Sequence, residues 1–168
     1  MSDHLEKKAV GTTINLPKGC IGVWDAHTIG TKSYLYESPK NTTAQNQKVV
    51  DRENCALWWP YGKGHAVCDH AESELPGGLW RVQDISVDDN ATLTLPNGTR
   101  KYYTCMGVLR CRRRPRDYAW NNAPFAPNAK EDVVCISCAN DSGTEVYVAY
   151  FKHNFTIELR STITNIKK

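Results

Sequence analysis

The stretch from Arg100 to Cys138 limits this chain more than any other. It begins Arg100-Lys101-Tyr102-Tyr103-Thr104-Cys105-Met106-Gly107-Val108-Leu109-Arg110-Cys111, runs through Arg112-Arg113-Arg114-Pro115-Arg116, and ends Cys135-Ile136-Ser137-Cys138. Seven Arg or Lys residues and no acidic residue lie between Arg100 and Arg116. The aromatic and β-branched content of its first half favours a strand. One cysteine pair, Cys105 and Cys111, closes that strand, and a CxxC pair closes the stretch. Two residues between thiols let both sulfurs reach one ion at ~2.3 Å, so the spacing suits zinc. The expected fold is mainly antiparallel β, α+β at most: a small zinc-stapled domain offering a basic strand edge to a polyanion.

Seven cysteines is an odd number in 168 residues. In a reducing compartment clustered thiols are more often ligands than disulfides. The expected zinc set is Cys135, Cys138 and Cys111, completed by Cys105 or His153. A second set is possible at Cys55, His65, Cys68 and His70, although its spacing matches no standard finger. Disulfides stay open as the competing use of the same thiols. Five Asn-x-Ser/Thr sequons, at Asn41, Asn90, Asn97, Asn140 and Asn154, exceed the one or two that chance would give, roughly. They support the alternative of a secreted or viral-surface disulfide-bonded glycoprotein domain. Against it, the first eight residues lack the apolar core of a secretory leader. No apolar run approaches the ~20 residues that span a bilayer. An intracellular location and no membrane partner are therefore expected; oligomeric state is left open.

Taken in order, Thr13 to Asp25 reads as short strands around a Pro17–Gly19 turn, and Ser33 to Glu37 alternates as a strand. Asn41 to Asn54 is the best helix candidate. Leu79 to Gln83, Ala91 to Leu95, Arg100 to Arg110 and Glu145 to Phe151 read as strands. Asn97-Gly98 supplies the positive φ angles of a hairpin turn. Pro115 to Lys130, with three prolines, reads as a loop. The expected division is an N-terminal extension over 1–76 and a zinc domain over 77–168.

The C-terminal half resembles the WRKY–GCM superfamily of zinc-dependent DNA-binding domains, nearest to GCM-like versions of fungal transposable elements. Tyr102 to Cys111 is similar to the family's aromatic strand and paired cysteines, and Cys135-Ile136-Ser137-Cys138 to its later CxxC. Lys152-His153-Asn154-Phe155 stands where the family ends with His-x-His, with Phe155 in place of the second histidine. Trp80-Arg81 takes the place of the tryptophan-led strand that enters the major groove. The resemblance implies double-stranded DNA as partner, Zn²⁺ as cofactor, a nuclear location and a transcription-regulating or transposon-derived role. Arg81, Gln83, Arg100, Lys101, Arg110, Arg112, Arg113, Arg114 and Arg116 would then touch DNA, since arginine grips phosphate or pairs with guanine. No phosphate loop, nucleophile elbow or metalloprotease helix is present, so no enzyme is expected.

Overall fold

Eight strands account for most of the residues that the computed structural model describes, which are 15–38, 43–69, 81–112, 126–139 and 144–158. β1 (Gly22–Ala26) and β2 (Thr31–Glu37) pair antiparallel across a 3-10 turn at His27–Ile29, which ends on Gly30 with φ 65°. One α-helix among the described residues, α1 (Thr43–Val50), lies between β2 and β3 (Cys55–Tyr61), and such a crossover lets these two strands run parallel. β3 turns back at Gly62-Lys63 into β4 (Gly64–Cys68). A Cβ on Gly64 would lie 2.2 Å from the Asp132 carbonyl oxygen, so only glycine lets the two backbones approach.

The second half supplies β5 (Asn90–Thr94), β6 (Arg100–Arg112), β7 (Val133–Cys138) and β8 (Glu145–Ile157). The β5–β6 hairpin turns at Asn97-Gly98 as expected: Gly98 has φ 87°, and the Thr99 N–H donates to Asn97 Oδ1 at 2.9 Å. Long β6 and β8 pair along their whole lengths, with register shifts at Tyr102/Tyr103 and Cys105/Gly107. The order around the sheet is β1-β2-β3-β4-β7-β8-β6-β5, and pairing of β1 with β5 closes it into a barrel. Strands from both sides of residue 76 thus share one sheet.

Strand alternation divides the buried residues into two sets. Inside the barrel, Trp24 lies against Tyr103 and Phe151, with ring centroids 5.2 and 5.3 Å away, and Leu35, Val67, Cys105 and Cys135 fill the space around them. Outside, Leu57, Ala66, Val134, Ile136, Val146 and Val148 form a second apolar layer beneath Val49 and Val50 of α1. Burying each of these large side chains contributes about 1.5–3 kcal/mol before entropy is counted.

The mainly antiparallel β character agrees with expectation, but the zinc staple does not. All seven cysteines are free thiols, and no group of three or more His, Cys, Asp or Glu among the described residues could hold a metal ion. On a strand, an offset of three turns two side chains to opposite faces. Cys135 therefore points into the barrel with Cys105, whereas Cys138 falls on the outer face with Val134 and Ile136. His153 pairs with Tyr103, seven residues along β8 from the Val146 that opposes Cys138, which is about 23 Å of strand. The second set fails in the same way: His65 stacks on Trp58 at 4.4 Å, and Cys68 belongs to the outer layer. His70 lies outside the described residues. Free thiols also leave the disulfide-bonded glycoprotein alternative without support. Of the strand expected over 79–83, the described part is instead a 3-10 turn at Val82–Asp84.

Candidate active site

β4 and β7 run parallel, pairing His65 with Val133 through Cys68 with Ile136. Their carboxyl ends consequently reach the same rim of the barrel. The ladder continues one step beyond β4, where the Asp69 N–H donates to the Ile136 carbonyl at 3.3 Å. β7 ends there on Ser137, whose side chain is buried, and Cys138, which is half-exposed. The Ala139 N–H then closes the β7–β8 turn on the Glu145 carbonyl at 2.7 Å.

Cys138 pairs with Val146 of β8, and Val146 pairs in turn with Cys111 of β6. Two strand spacings separate the two thiols, about 10 Å, too far for a disulfide without backbone movement. These are the only two of the seven cysteines that are not buried. Burial still pushes the Cys111 thiol up, and it pushes Cys135 far above the ordinary thiol range, with the neighbouring Cys105 adding to that effect. Cys55 is also raised, by burial first and then by the charge of Asp69, while Arg52 acts in the opposite sense. A thiol must ionise to act as a nucleophile, so the buried ones are poor candidates. Cys138 stands at a strand end with an apolar floor of Ile136, Cys68 and Val146 beside it.

Arg110 pairs with Tyr147, which also pairs with Ser137, so it lies one row from Cys138 but on the opposite face of the sheet. Its guanidinium donates to Glu145 Oε2 at 2.6 Å and lies 5.7 Å from the Tyr147 ring centre. The described histidines are elsewhere. His65 is five residues back along the β4–β7 ladder, about 16 Å from Cys138, and burial lowers its pKa. His27 follows β1 and His153 lies towards the far end of β8.

The expected DNA-contacting residues do not form a basic edge. Over Arg100–Thr104 β6 is paired on both sides, by β5 and β8, so that part of its backbone cannot enter a groove. Arg81 bonds Asp84 at 3.0 Å, Lys101 bonds Glu131 at 2.6 Å, and Arg110 is held by Glu145. Gln83 lies in the 3-10 turn, Arg100 sits on the β1–β5–β6 wall, and Arg112 ends β6. Arg113, Arg114 and Arg116 fall outside the described residues.

No protein-family model and no curated protein matches this sequence. Solved structures do share its fold. Sortase A of Listeria monocytogenes has a TM-score of 0.63 at 15% identity, covering 89% of this chain and 97% of that one. Sortase C-3 of Streptococcus pneumoniae gives 0.66 at 10% identity, over 96% and 78%. Sortase C1 of Streptococcus agalactiae, solved in complex with MTSET, gives 0.62 at 9% identity, over 88% and 77%. The barrel is thus of the sortase fold. That finding overturns the WRKY–GCM resemblance, and with it DNA as partner, Zn²⁺ as cofactor, the nuclear location and the regulatory or transposon-derived role. It also corrects the expectation that the chain is no enzyme, because every solved structure named here is a sortase. Cys138 was legible as a thiol but misread as a ligand. The signal available was an apolar strand, Val133 to Ile136, that delivers a cysteine into turn residues.

Proposed function

We propose that this chain is a cysteine transpeptidase with Cys138 as its nucleophile. The observation that carries the reading is the half-exposed thiol at the carboxyl end of β7, on the rim shared with β4, in a barrel of the sortase fold. A sortase C1 solved with MTSET, a thiol-directed reagent, is consistent with a reachable cysteine in a relative of this shape.

In this reading the Cys138 thiolate attacks the carbonyl carbon of a peptide bond. The C–S bond forms and the C–N bond breaks, the leaving amine taking a proton from an imidazolium. The resulting thioester is attacked by the amine of a second substrate. A C–N bond forms, the C–S bond breaks, and the amine proton returns to the imidazole. The base called for is His70, the residue that follows Asp69 in the chain; this assignment rests on chain order along β4. The substrate class in this reading is a peptide segment of a protein; a solved sortase C of Streptococcus pneumoniae has specificity for pilin substrates.

The test incubates the purified chain with a peptide library and an amine acceptor, followed by intact mass measurement. We expect an acyl adduct on Cys138, discharged by the amine, and none with Cys138→Ala or His70→Gln. No adduct in the wild-type chain, or equal product from Cys138→Ala, would sink the reading.

A further inference from the structure

The wall diametrically opposite β7 carries a second pocket that the thiol chemistry does not use. In the barrel order β1 stands four strands from β7 in either direction. Around β1 the register sets Lys32, Asp25, Thr92 and Tyr102 in one row across β2, β1, β5 and β6. Two residues along each strand come Val23, Thr94 and Arg100, which alternation places on the same outer face. These side chains line a cavity of about 310 Å³, with His27 at its edge. Val23 and Thr92 are buried and make its floor, while Lys32, Arg100 and His27 are exposed and make its walls.

Its chemistry points to a ligand. Thr92 Oγ1 and His27 Nε2 are 2.7 Å apart, and His27 Nδ1 faces Asp25 Oδ1 at 3.3 Å. The Asp25 carboxylate is thereby turned towards the imidazole. Lys32 and Arg100 make no ion pair among the described residues, in contrast to Lys101 and Arg110 on neighbouring parts of the sheet. Two cations with no ion pair among the described residues, two threonine hydroxyls and a tyrosine line a recess large enough for a small molecule, with the Asp25 carboxylate beside them. A tetrahedral oxyanion takes several charge-assisted hydrogen bonds at once, and arginine and lysine both provide them.

From this arrangement we infer that the β1–β5–β6 wall binds a phosphate group, either the free ion or a phosphate ester, between Lys32 and Arg100 over Thr92. The site is separate from Cys138, so it stands whether or not the transpeptidase reading does.

The experiment titrates the full chain with inorganic phosphate, glucose 6-phosphate and uncharged glucose, following His27 and Tyr102 ring signals by NMR. We expect saturation by at least one phosphate compound with a dissociation constant on the order of 1 mM or below. Tighter binding of the ester identifies a phosphorylated ligand, and equal binding identifies the free ion. Lys32→Gln with Arg100→Gln should weaken binding by about tenfold or more, since charged hydrogen bonds are lost. Asp25→Asn, which removes the opposing carboxylate, should tighten it. Alkylation of Cys138 at the wild-type rate would show that these variants keep their fold. The inference is overturned by no saturation, by equal binding of glucose, or by an unchanged affinity in the double variant.

Discussion

Cys135 and Cys138 occupy one strand three residues apart, and the barrel wall divides them. The inner thiol is fully buried beside Cys105 and held protonated by burial. The outer thiol ends the strand, half-exposed, at the rim where parallel β4 also ends. The two residues are chemically identical, and only their orientation and depth separate a packing group from the proposed nucleophile. The difference teaches that cysteine spacing acquires meaning only once the secondary structure is fixed. On a turn, CxxC brings two sulfurs to one ion; on a strand it sends them to opposite sides.

The largest effect that would sharpen this contrast is on catalysis. Cys138→Ala should lower peptide acyl transfer by about a thousandfold or more, about 4 kcal/mol of transition-state stabilisation. Cys135→Ala should leave the rate within a fewfold, and steady-state rates with an amine acceptor check both. If the two variants lose activity equally, the contrast fails.

Next comes stability. Cys135→Asp forces a carboxylate into the space around Trp24 and Phe151 and should cost more than about 4 kcal/mol, while Cys138→Asp should cost under ~1 kcal/mol. Denaturant unfolding of the two variants measures the gap. Third, native-state alkylation followed by peptide mass mapping should modify Cys138 about a hundredfold faster than Cys135, with Cys111 between them because burial raises its thiol.

The smallest effect lies at the other end of β7 and serves as a control. The Lys101 ammonium, bonding Glu131 at 2.6 Å, holds that carboxyl below its usual range. A depressed folded-state value gives stability that is present above the unfolded carboxyl's range and lost as pH falls through the folded one. Lys101→Met should therefore flatten the acid-side loss of stability. Because Glu131 is 41% exposed, screening keeps the change below ~1 kcal/mol. Thermal unfolding between neutral and acidic pH checks it, and Cys138 alkylation should not change.

Local features of the fold were readable before the structure. Asn97-Gly98 specified its hairpin, Ser33 to Glu37 its strand, and Asn41 to Asn54 contained the helix. Each depends on neighbouring residues and on turn chemistry. What could not be read was non-local. The parallel partnership of β4 with β7 joins Cys68 to Ile136 across 68 residues, and no periodicity announces it. The ion pairs that occupy Lys101 and Arg110 are equally invisible in a count of basic residues, because Glu131 and Glu145 come from other segments. The candidate site was present in the sequence as a cysteine; its neighbours were not.

Closure of the barrel has a consequence for how the chain acquires its site. β4 emerges with one edge unsatisfied and must wait for β7, and β1 must wait for β5. Such distant pairings pay their loop-closure entropy before any contact repays it, which places β-rich domains of this kind among folders on the millisecond-to-second scale. The rim beside Cys138 is built by one of these late joins. During synthesis β4 is an open strand edge, the kind that a chaperone covers or a second chain captures. The Cys138 thiol therefore stands on a completed rim only after the sheet has closed, so its native alkylation rate would report completion of folding.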